Sequence, residues 1–279
     1  MNKAIVTIII GDKYKRLWGK YAENGWRSYC KKHGYDLIII DEPLDNSDLA
    51  KSRSVAWQKC LVLSNSKVQH YDKVVWIDSD IQINTDEAPD IISFLPEGKI
   101  GCTDAYCFYT RETYSFLYDV LIKYWQKQGL NPLVNRTGND YYLNFGIETT
   151  ETDVVQTGVL ILEPGNHQEL MEYTYYNYED KGSAEWNYEM RPLSYEIVRN
   201  QLHHFLDHRF NFGFDNFQKM FYPQIGQKKD GFFSLGNTKL LRQAASIAFA
   251  NSYFLHFAGC QDLMKHTEVS KSSLNKFFS

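Results

Sequence analysis

The stretch YDKVVWIDSDIQI, Tyr71 to Ile83, sends an apolar run, Val74 to Ile77, straight into two aspartates one residue apart, Asp78 and Asp80. A continuous β-branched and aromatic run of this kind reads as a strand buried on both faces. Carboxylates closing such a strand are costly to bury unpaired, and two so close repel each other unless a cation stands beside them. Two accounts fit the stretch by itself. Asp80 caps a following turn while Asp78 meets a lysine, or both carboxylates serve a hard cation.

Outward from this strand the pattern repeats. AIVTIII, Ala4 to Ile10, is a second continuous apolar run that stops at Gly11 and Asp12, as a central strand would. Trp18, Ala22, Trp26, Tyr29 and Cys30 then recur at three- and four-residue steps, which predicts a helix, and HGYDLIIID supplies Gly34 as its stop and another buried strand. A helical stretch around Ser54 to Ser64 leads into KVVWID, and KIGCT, Lys99 to Thr103, is strand-like again. Strands alternating with helices predict an α/β fold with a mostly parallel, Rossmann-like central sheet flanked by helices. In open sheets of this kind ligands bind off the carboxyl ends of the strands, where Gly11, Asp12, Asp78 and Asp80 all fall.

The second half is less regular. A long aromatic helix is predicted near Arg111 to Gln128, followed by a polar stretch around Asn131 to Asn144 and the strand VVQTGVLILEPG. A helix is predicted over Pro192 to Leu206, and a last strand, SYFLHFAG, precedes a Lys/Ser-rich tail. No fixed-period repeat or Pro/Gly linker divides the chain, so one domain is expected over 1–279. Its halves are a nucleotide-binding part, about 1–105, and a donor-sugar and acceptor part, about 106–260, which includes a smaller acceptor-side lobe. In the tail, 261–279, Leu274, Phe277 and Phe278 are expected to dock on the body.

Composition narrows the function. Thirty Lys and Arg against 34 Asp and Glu give a formal net charge of −4, and no basic block is long enough to track a phosphate backbone, which argues against nucleic acid as a partner. Five cysteines, Cys30, Cys60, Cys102, Cys107 and Cys260, form no CxxC pair and read as small buried hydrophobes in a reducing compartment. AIVTIII is too short to span a membrane and carries no cleavage site, so neither signal peptide nor integral membrane segment is expected, and the expected location is cytoplasmic. A homodimer is left open.

Hard oxygen ligands suit Mg2+, Mn2+ or Ca2+, and an ion held by one or two protein carboxylates completes its shell with substrate phosphates and water. An added imidazole shifts the preference towards Mn2+, and His256 of HFAG closes another apolar strand. His204 and His208 also sit at the four-residue spacing that places two imidazoles on one helix face, but no HExxH glutamate accompanies them and a locally hydrogen-bonded helix end accounts for them.

The order hhhDxD after an apolar strand, xTGVLIL in mid-chain and HFAG near the C-terminus, over most of the chain, resembles the GT-A fold nucleotide-sugar glycosyltransferases. The retaining families are most alike, namely the glycogenin-like family 8 and the galactosyl/xylosyltransferase family 34. The resemblance implies that Asp78, Asp80 and His256 hold a divalent cation, Mn2+ or Mg2+, against a nucleoside diphosphate, with Ser79 between the aspartates. It places Thr7, Ile8, Gly11 and Tyr14 of TIIIGDKY at the nucleotide base, with Tyr14 stacking on uracil. Arg53 and Lys59 are implied to face the donor. Gln156, Thr157 and Gly158 match the segment lining the donor sugar, which usually begins with Asn, and Gly259 would let its backbone approach a phosphate. Lys265 is the implied diphosphate-neutralising cation, although family 8 places that lysine three residues earlier, where this chain has Asp262.

Retaining transfer needs a carboxylate or polar group on the sugar face opposite the leaving diphosphate. LSYEIVRNQLHHFLDHRFNF resembles the (D/E)(Q/E)xxLN…FN segment of several retaining families, which aligns Glu196 with that role and Asn200 one helical turn later. Glu189 and Asp153 are the reserves. The implied function is metal-dependent, retaining transfer of a sugar from a UDP-sugar to a hydroxyl of a carbohydrate acceptor. The alternatives are a nucleotidyltransferase that forms sugar nucleotides, for which GDKYKR is a poor first loop, and a non-catalytic nucleotide-sugar-binding module.

Overall fold

In a computed structural model, which describes residues 1–129, 137–182, 188–226 and 238–268, the apolar runs become strands. They are β1 (Lys3–Ile8), β2 (Asp36–Ile40), β3 (Lys73–Ile77), β4 (Ile81–Ile83), β5 (Ile100–Asp104), β6 (Val155–Leu162), β7 (His203–Phe205), β8 (Phe212–Gly213) and β9 (Phe254–His256). Six of them form the central sheet in the order β2-β1-β3-β6-β5-β7, and β4-β9-β8 form a second, three-stranded sheet. The central sheet is mostly parallel: β1 pairs β2 and β3 in parallel and β5 pairs β7 in parallel, while β6 runs antiparallel to β3 and β5.

The central strands are largely apolar because they separate two cores. Ala4 and Val6 of β1, Val74 and Trp76 of β3 and Leu160 and Leu162 of β6 face one core, shared with Trp57, Cys60 and Leu63. Ile5, Val75, Ile77, Val159 and Ile161 face the other, against Trp18, Trp26, Tyr29 and Phe254. Period-two alternation into two dry layers thus keeps nearly every position apolar, the polar exceptions Thr7, Gln156 and Thr157 lying toward the cleft ends of β1 and β6. β2 departs from expectation: it is an edge strand and only half-buried, since nothing among the described residues pairs on its outer side.

The predicted first helix is two, α1 (Asp12–Tyr21) and α2 (Glu23–His33), broken at Ala22, and it ends at Gly34 in the left-handed conformation, φ 71°. The five predicted apolar positions are all buried. After a short α3 (Asp48–Lys51), the segment before β3 is a 3-10 helix, Val55–Ser64, buried from Trp57 to Leu63. The later helices are α4 (Arg111–Lys127), α5 (Gly138–Leu143), α6 (Pro164–Asn177), α7 (Met190–Arg199), α8 (Phe214–Phe221) and α9 (Thr238–Ala250). α7 is shorter than predicted. Asn200 and Gln201, the latter at φ 55°, end it, and His203 to Phe205 pair with β5 as a strand.

Two features of this topology position the site. β1 sends its chain to β2 on one side while β3 lies on its other side, so a crevice opens between the carboxyl ends of β1 and β3. β4, which follows Asp80 directly, is pinned from both sides: the Trp26 indole donates to the Ile81 carbonyl at 2.8 Å, and the Gln82 amide donates to the carbonyls of Tyr21 at 2.9 Å and Met264 at 3.2 Å. Antiparallel pairing then sets Ile81 opposite His256. No helix among the described residues is long and apolar enough to cross a membrane. The tail residues Leu274, Phe277 and Phe278 lie outside the described residues.

Candidate metal centre and active-site cleft

Asp78 and Asp80 leave the carboxyl end of β3, and His256 closes β9 in the other sheet. Their ligand atoms lie within 4.8 Å of one another. Nε2 of His256 stands 3.2 Å from Oδ1 of Asp80 and 3.8 Å from Oδ2 of Asp78. The two aspartate side chains keep 26% and 21% of their surface open, the imidazole 4%, so the acids front the cleft and the histidine backs them. Nδ1 of His256 lies 2.8 Å from Oδ1 of Asn211, an acceptor for a proton on Nδ1 that would leave Nε2 to face a cation beside the carboxylates.

The donor set fits a divalent cation. Two carboxylates and one neutral imidazole offer hard oxygens and a borderline nitrogen, and adjacent ligands of an octahedral ion at about 2.1 Å sit about 3 Å apart, close to the separations seen. Without an ion, burial lowers the basicity of His256, but Asp80 and Asp78 outweigh it and its pKa moves up. Burial pushes Asp78 up against the pull of Lys59, while in Asp80 the cost of burial is overcome by His256 and its carboxyl is held below the usual range.

Lys59 is the buried cation of the site. Its ammonium lies 3.2 Å from Oδ1 of Asp78 and 2.9 Å from Oε1 of Glu189, and donates to the Thr157 carbonyl at 3.3 Å. Burial alone would discharge it, but the two carboxylates outweigh that and hold its pKa up. The Trp76 indole also donates to Oδ1 of Asp78, at 2.9 Å. Oδ1 is therefore spoken for and Oδ2 is turned to the His256 side. Three carboxylates facing one lysine leave the cluster with surplus negative charge, which a bound cation would offset.

Lys59, Trp76, Asp78, Asp80 and Glu189 line a cleft of about 420 Å³ together with Ile8, Ile10, Tyr14, Val55 and Ser79. The predicted donor residues Ile8, Tyr14, Lys59 and Ser79 are thus brought together with Asp78 and Asp80. Gly11, at φ 96°, begins α1 beside them, a backbone that a side chain adopts only with strain. Gly158 abuts His256, Thr157 contributes its carbonyl to Lys59, and Gln156 folds back to accept from the Gly158 amide at 2.9 Å while lining a neighbouring pocket. Gly259 turns the chain after β9 at φ 66°.

Several expectations are corrected. Glu196 is 1% exposed and lies on α7 away from the cleft, where it accepts from the Tyr178 hydroxyl and from Arg199 at 2.7 Å. Asn200 is exposed at the end of that helix and bonds the Glu196 carbonyl at 2.8 Å. Arg53 turns to the carbonyls of Tyr175 and Tyr178, between the rings of Trp57 and Tyr175. The Thr7 side chain is wholly buried in the sheet, so it offers nothing to a base. Lys265 is exposed on the 3-10 helix Gln261–His266 and outside the cleft lining, and Asp262 instead pairs with Lys13 at 3.0 Å. His203 and His204 lie on β7 and His208 on a 3-10 turn, so no helix face unites them. Cys30, Cys60 and Cys102 are buried as expected; Cys107 and Cys260 are half-exposed. The reserve Asp153 is paired with Arg111 and His203. The reserve Glu189 is the carboxylate that enters the site.

No protein-family model and no curated protein matches the chain. Among solved structures, a glycosyltransferase involved in the glycosylation of the major capsid of PBCV-1 is similar over 95% of this chain and 99% of its own, with a TM-score of 0.51 at 13% identity. The galactosyltransferase LgtC, solved with donor and acceptor sugar analogues, is similar over 98% and 99%, with a TM-score of 0.43 at 12% identity. Mouse xyloside xylosyltransferase 1 is similar over 92% and 98%, with a TM-score of 0.41 at 8% identity. The chain has the GT-A fold.

Proposed function

We propose that the chain is a metal-dependent glycosyltransferase that takes a sugar from a nucleotide-sugar, UDP-linked, and transfers it with retention to a hydroxyl of a carbohydrate. The observation that carries this reading is the meeting of Asp78, Asp80 and His256, from two different sheets, at the mouth of a cleft on the β1/β3 crevice. A GT-A fold supplies the context in which such a trio faces a diphosphate.

Asp78, Asp80 and His256 would hold Mn2+ or Mg2+, which when bound would supply Lewis-acid stabilisation of the leaving diphosphate. The chain's own residues do the rest. Tyr14, on the first turn of α1, offers an exposed ring to the base, flanked by Ile8, Ile10 and Val55. Asn211 keeps the His256 lone pair aimed at the ligand side. Lys59 holds Asp78 and Glu189 in fixed relation from behind, and Glu189, not Glu196, presents the carboxylate that steadies positive charge developing at the anomeric carbon or attacks it.

The test is a screen of nucleotide sugars for UDP release with Mn2+, with and without EDTA. Release that needs the metal and vanishes in Asp78→Asn supports the reading. Nucleotide binding with no turnover on any donor, or turnover indifferent to EDTA, overturns it.

A further inference from the structure

A second cleft, of about 550 Å³, opens off the same edge of the central sheet but beyond β5 and β7. Four separate segments build it: the loop after β5 gives Tyr109, the loop after β7 gives Asp207 and Arg209, the turn after β4 gives Glu87, and the chain between α9 and β9 gives Asn251 and Tyr253. The proposed transfer reaction uses none of these residues.

We propose that this cleft is a carbohydrate-binding subsite for neutral sugar residues of an extended acceptor, so that the preferred acceptor is an oligosaccharide and not a single sugar. The proposal rests on the glycosyl-transfer reading for its role, although the binding itself is independent of it.

Three observations carry it. The first is continuity. Cys107 and His208 line both this cleft and the small pocket that contains Gln156 and Asn211, and Asn211 is the residue that holds His256. A ligand reaching from the cation trio along the sheet edge would pass that pocket and arrive here.

The second is Tyr109. Its backbone is left-handed, φ 61°, a strained state for a bulky residue, yet its side chain is not consumed by the core: the residue is 58% exposed. The ring stands across His208 at 4.8 Å and Phe108 at 5.0 Å, which fixes it as a wall. The tight turn is closed by the Thr110 amide donating to the Phe108 carbonyl at 2.8 Å, and it presents the ring on the cleft wall, where a flat face is open to a ligand.

The third is the charge balance. Arg209 is locked by three bonds to the Asp207 carboxylate, of 3.0, 3.1 and 2.6 Å, and lies over the Tyr253 ring at 4.2 Å. Its charge is cancelled in place, and Glu87 adds a further negative group. The cleft therefore has no surplus positive charge for a phosphate or other anion. A flat aromatic wall, a fixed guanidinium–carboxylate plane and the Asn251 amide match the apolar face and hydroxyl rim of a neutral sugar.

The test uses the full chain without donor or metal, and titrates neutral oligosaccharides of one to six units drawn from an immobilised panel on which binding is first seen. Affinity should rise at least tenfold from monosaccharide to oligosaccharide. Tyr109→Gly, which relieves the backbone, should lose that gain with thermal stability unchanged or higher, and Tyr109→Trp should keep it; Mn2+–UDP affinity should be the same in all three proteins. Equal oligosaccharide affinity in the unsubstituted chain and Tyr109→Gly, or retention only of an unglycosylated peptide, overturns the subsite. A chain that binds oligosaccharide through Tyr109 but not Mn2+–UDP supports the subsite and overturns the donor reading.

Discussion

Gly158 lies flat against His256: a Cβ on the glycine would stand 2.5 Å from Cε1 and 2.7 Å from Nδ1 of the imidazole. A contact that short forces the ring to move, and the ring cannot move without releasing Asn211 or the aspartates. Gly158→Ala should therefore weaken Mn2+ binding by about 10–100-fold, the usual cost of disturbing the support of a ligand, and destabilise the chain by about 1–3 kcal/mol through overpacking. Titration of Mn2+ in the presence of UDP checks the first and chemical denaturation the second. Unchanged affinity would mean that the imidazole is not a ligand.

Lys59 is the buried counter-charge of two carboxylates. Lys59→Met should cost about 3–5 kcal/mol, the penalty of leaving a buried ion pair half-dismantled. The double variant Lys59→Met/Glu189→Gln removes one of the two stranded charges and should recover part of that stability, but none of the turnover. Denaturation midpoints of the single and double variants form the cycle; additive losses would show that Lys59 and Glu189 do not interact.

Much of this was legible in the sequence, for a physical reason. Strands buried on both faces must be largely apolar, so β1, β3 and β6 announce themselves, and a charged residue ending such a strand stands out, as do Asp78, Asp80 and His256. The rest depends on contacts between distant segments. Lys59 and Glu189 lie 2.9 Å apart in space with no periodicity linking them in the chain. Glu189 and Glu196 are two turns apart, and only the Lys59 contact tells which one reaches the cleft. β7 was hidden because His203 to Phe205 carry no strand alternation; their pairing is conferred by β5. The left-handed Gln201 that ends α7 is not a glycine, so the usual helix stop is missing.

The two glutamates should behave in opposite ways. Glu189→Gln should lower turnover about 10²–10³-fold, by analogy with the loss of one preorganised charge-stabilising group, with Mn2+–UDP affinity kept within a few-fold. Glu196→Gln should leave turnover within a few-fold but cost about 1–3 kcal/mol, since it breaks the buried partnership with Tyr178 and Arg199. Steady-state kinetics alongside denaturation separates them. A catalytic collapse in Glu196→Gln with stability intact would reverse the assignment.

One corner, the turn from β6 into α6, should contribute two steps to the chain's loss of stability in acid. His167 is buried there as a neutral ring: its Nδ1 accepts from the Glu163 amide at 2.9 Å and its Nε2 faces the Gly98 carbonyl at 3.4 Å. Burial holds its pKa below the ordinary 6.5, so its contribution is complete above that value and is lost as pH falls below it toward the depressed folded pKa, because the unfolded ring takes the proton first. Glu163 is paired with Lys73 at 3.0 Å; burial works against its ionisation, but Lys73 and Asn166 prevail and hold its pKa down. Its contribution is present above the ordinary glutamate pKa and is lost in the acid range beneath it. Denaturation midpoints should thus fall as pH drops below about 6.5, then again below about 4.3. His167→Asn places an acceptor oxygen near the Nδ1 position with no titrating group, and should flatten the upper step while leaving the lower one; an unchanged upper step in that variant would move the linkage to another histidine.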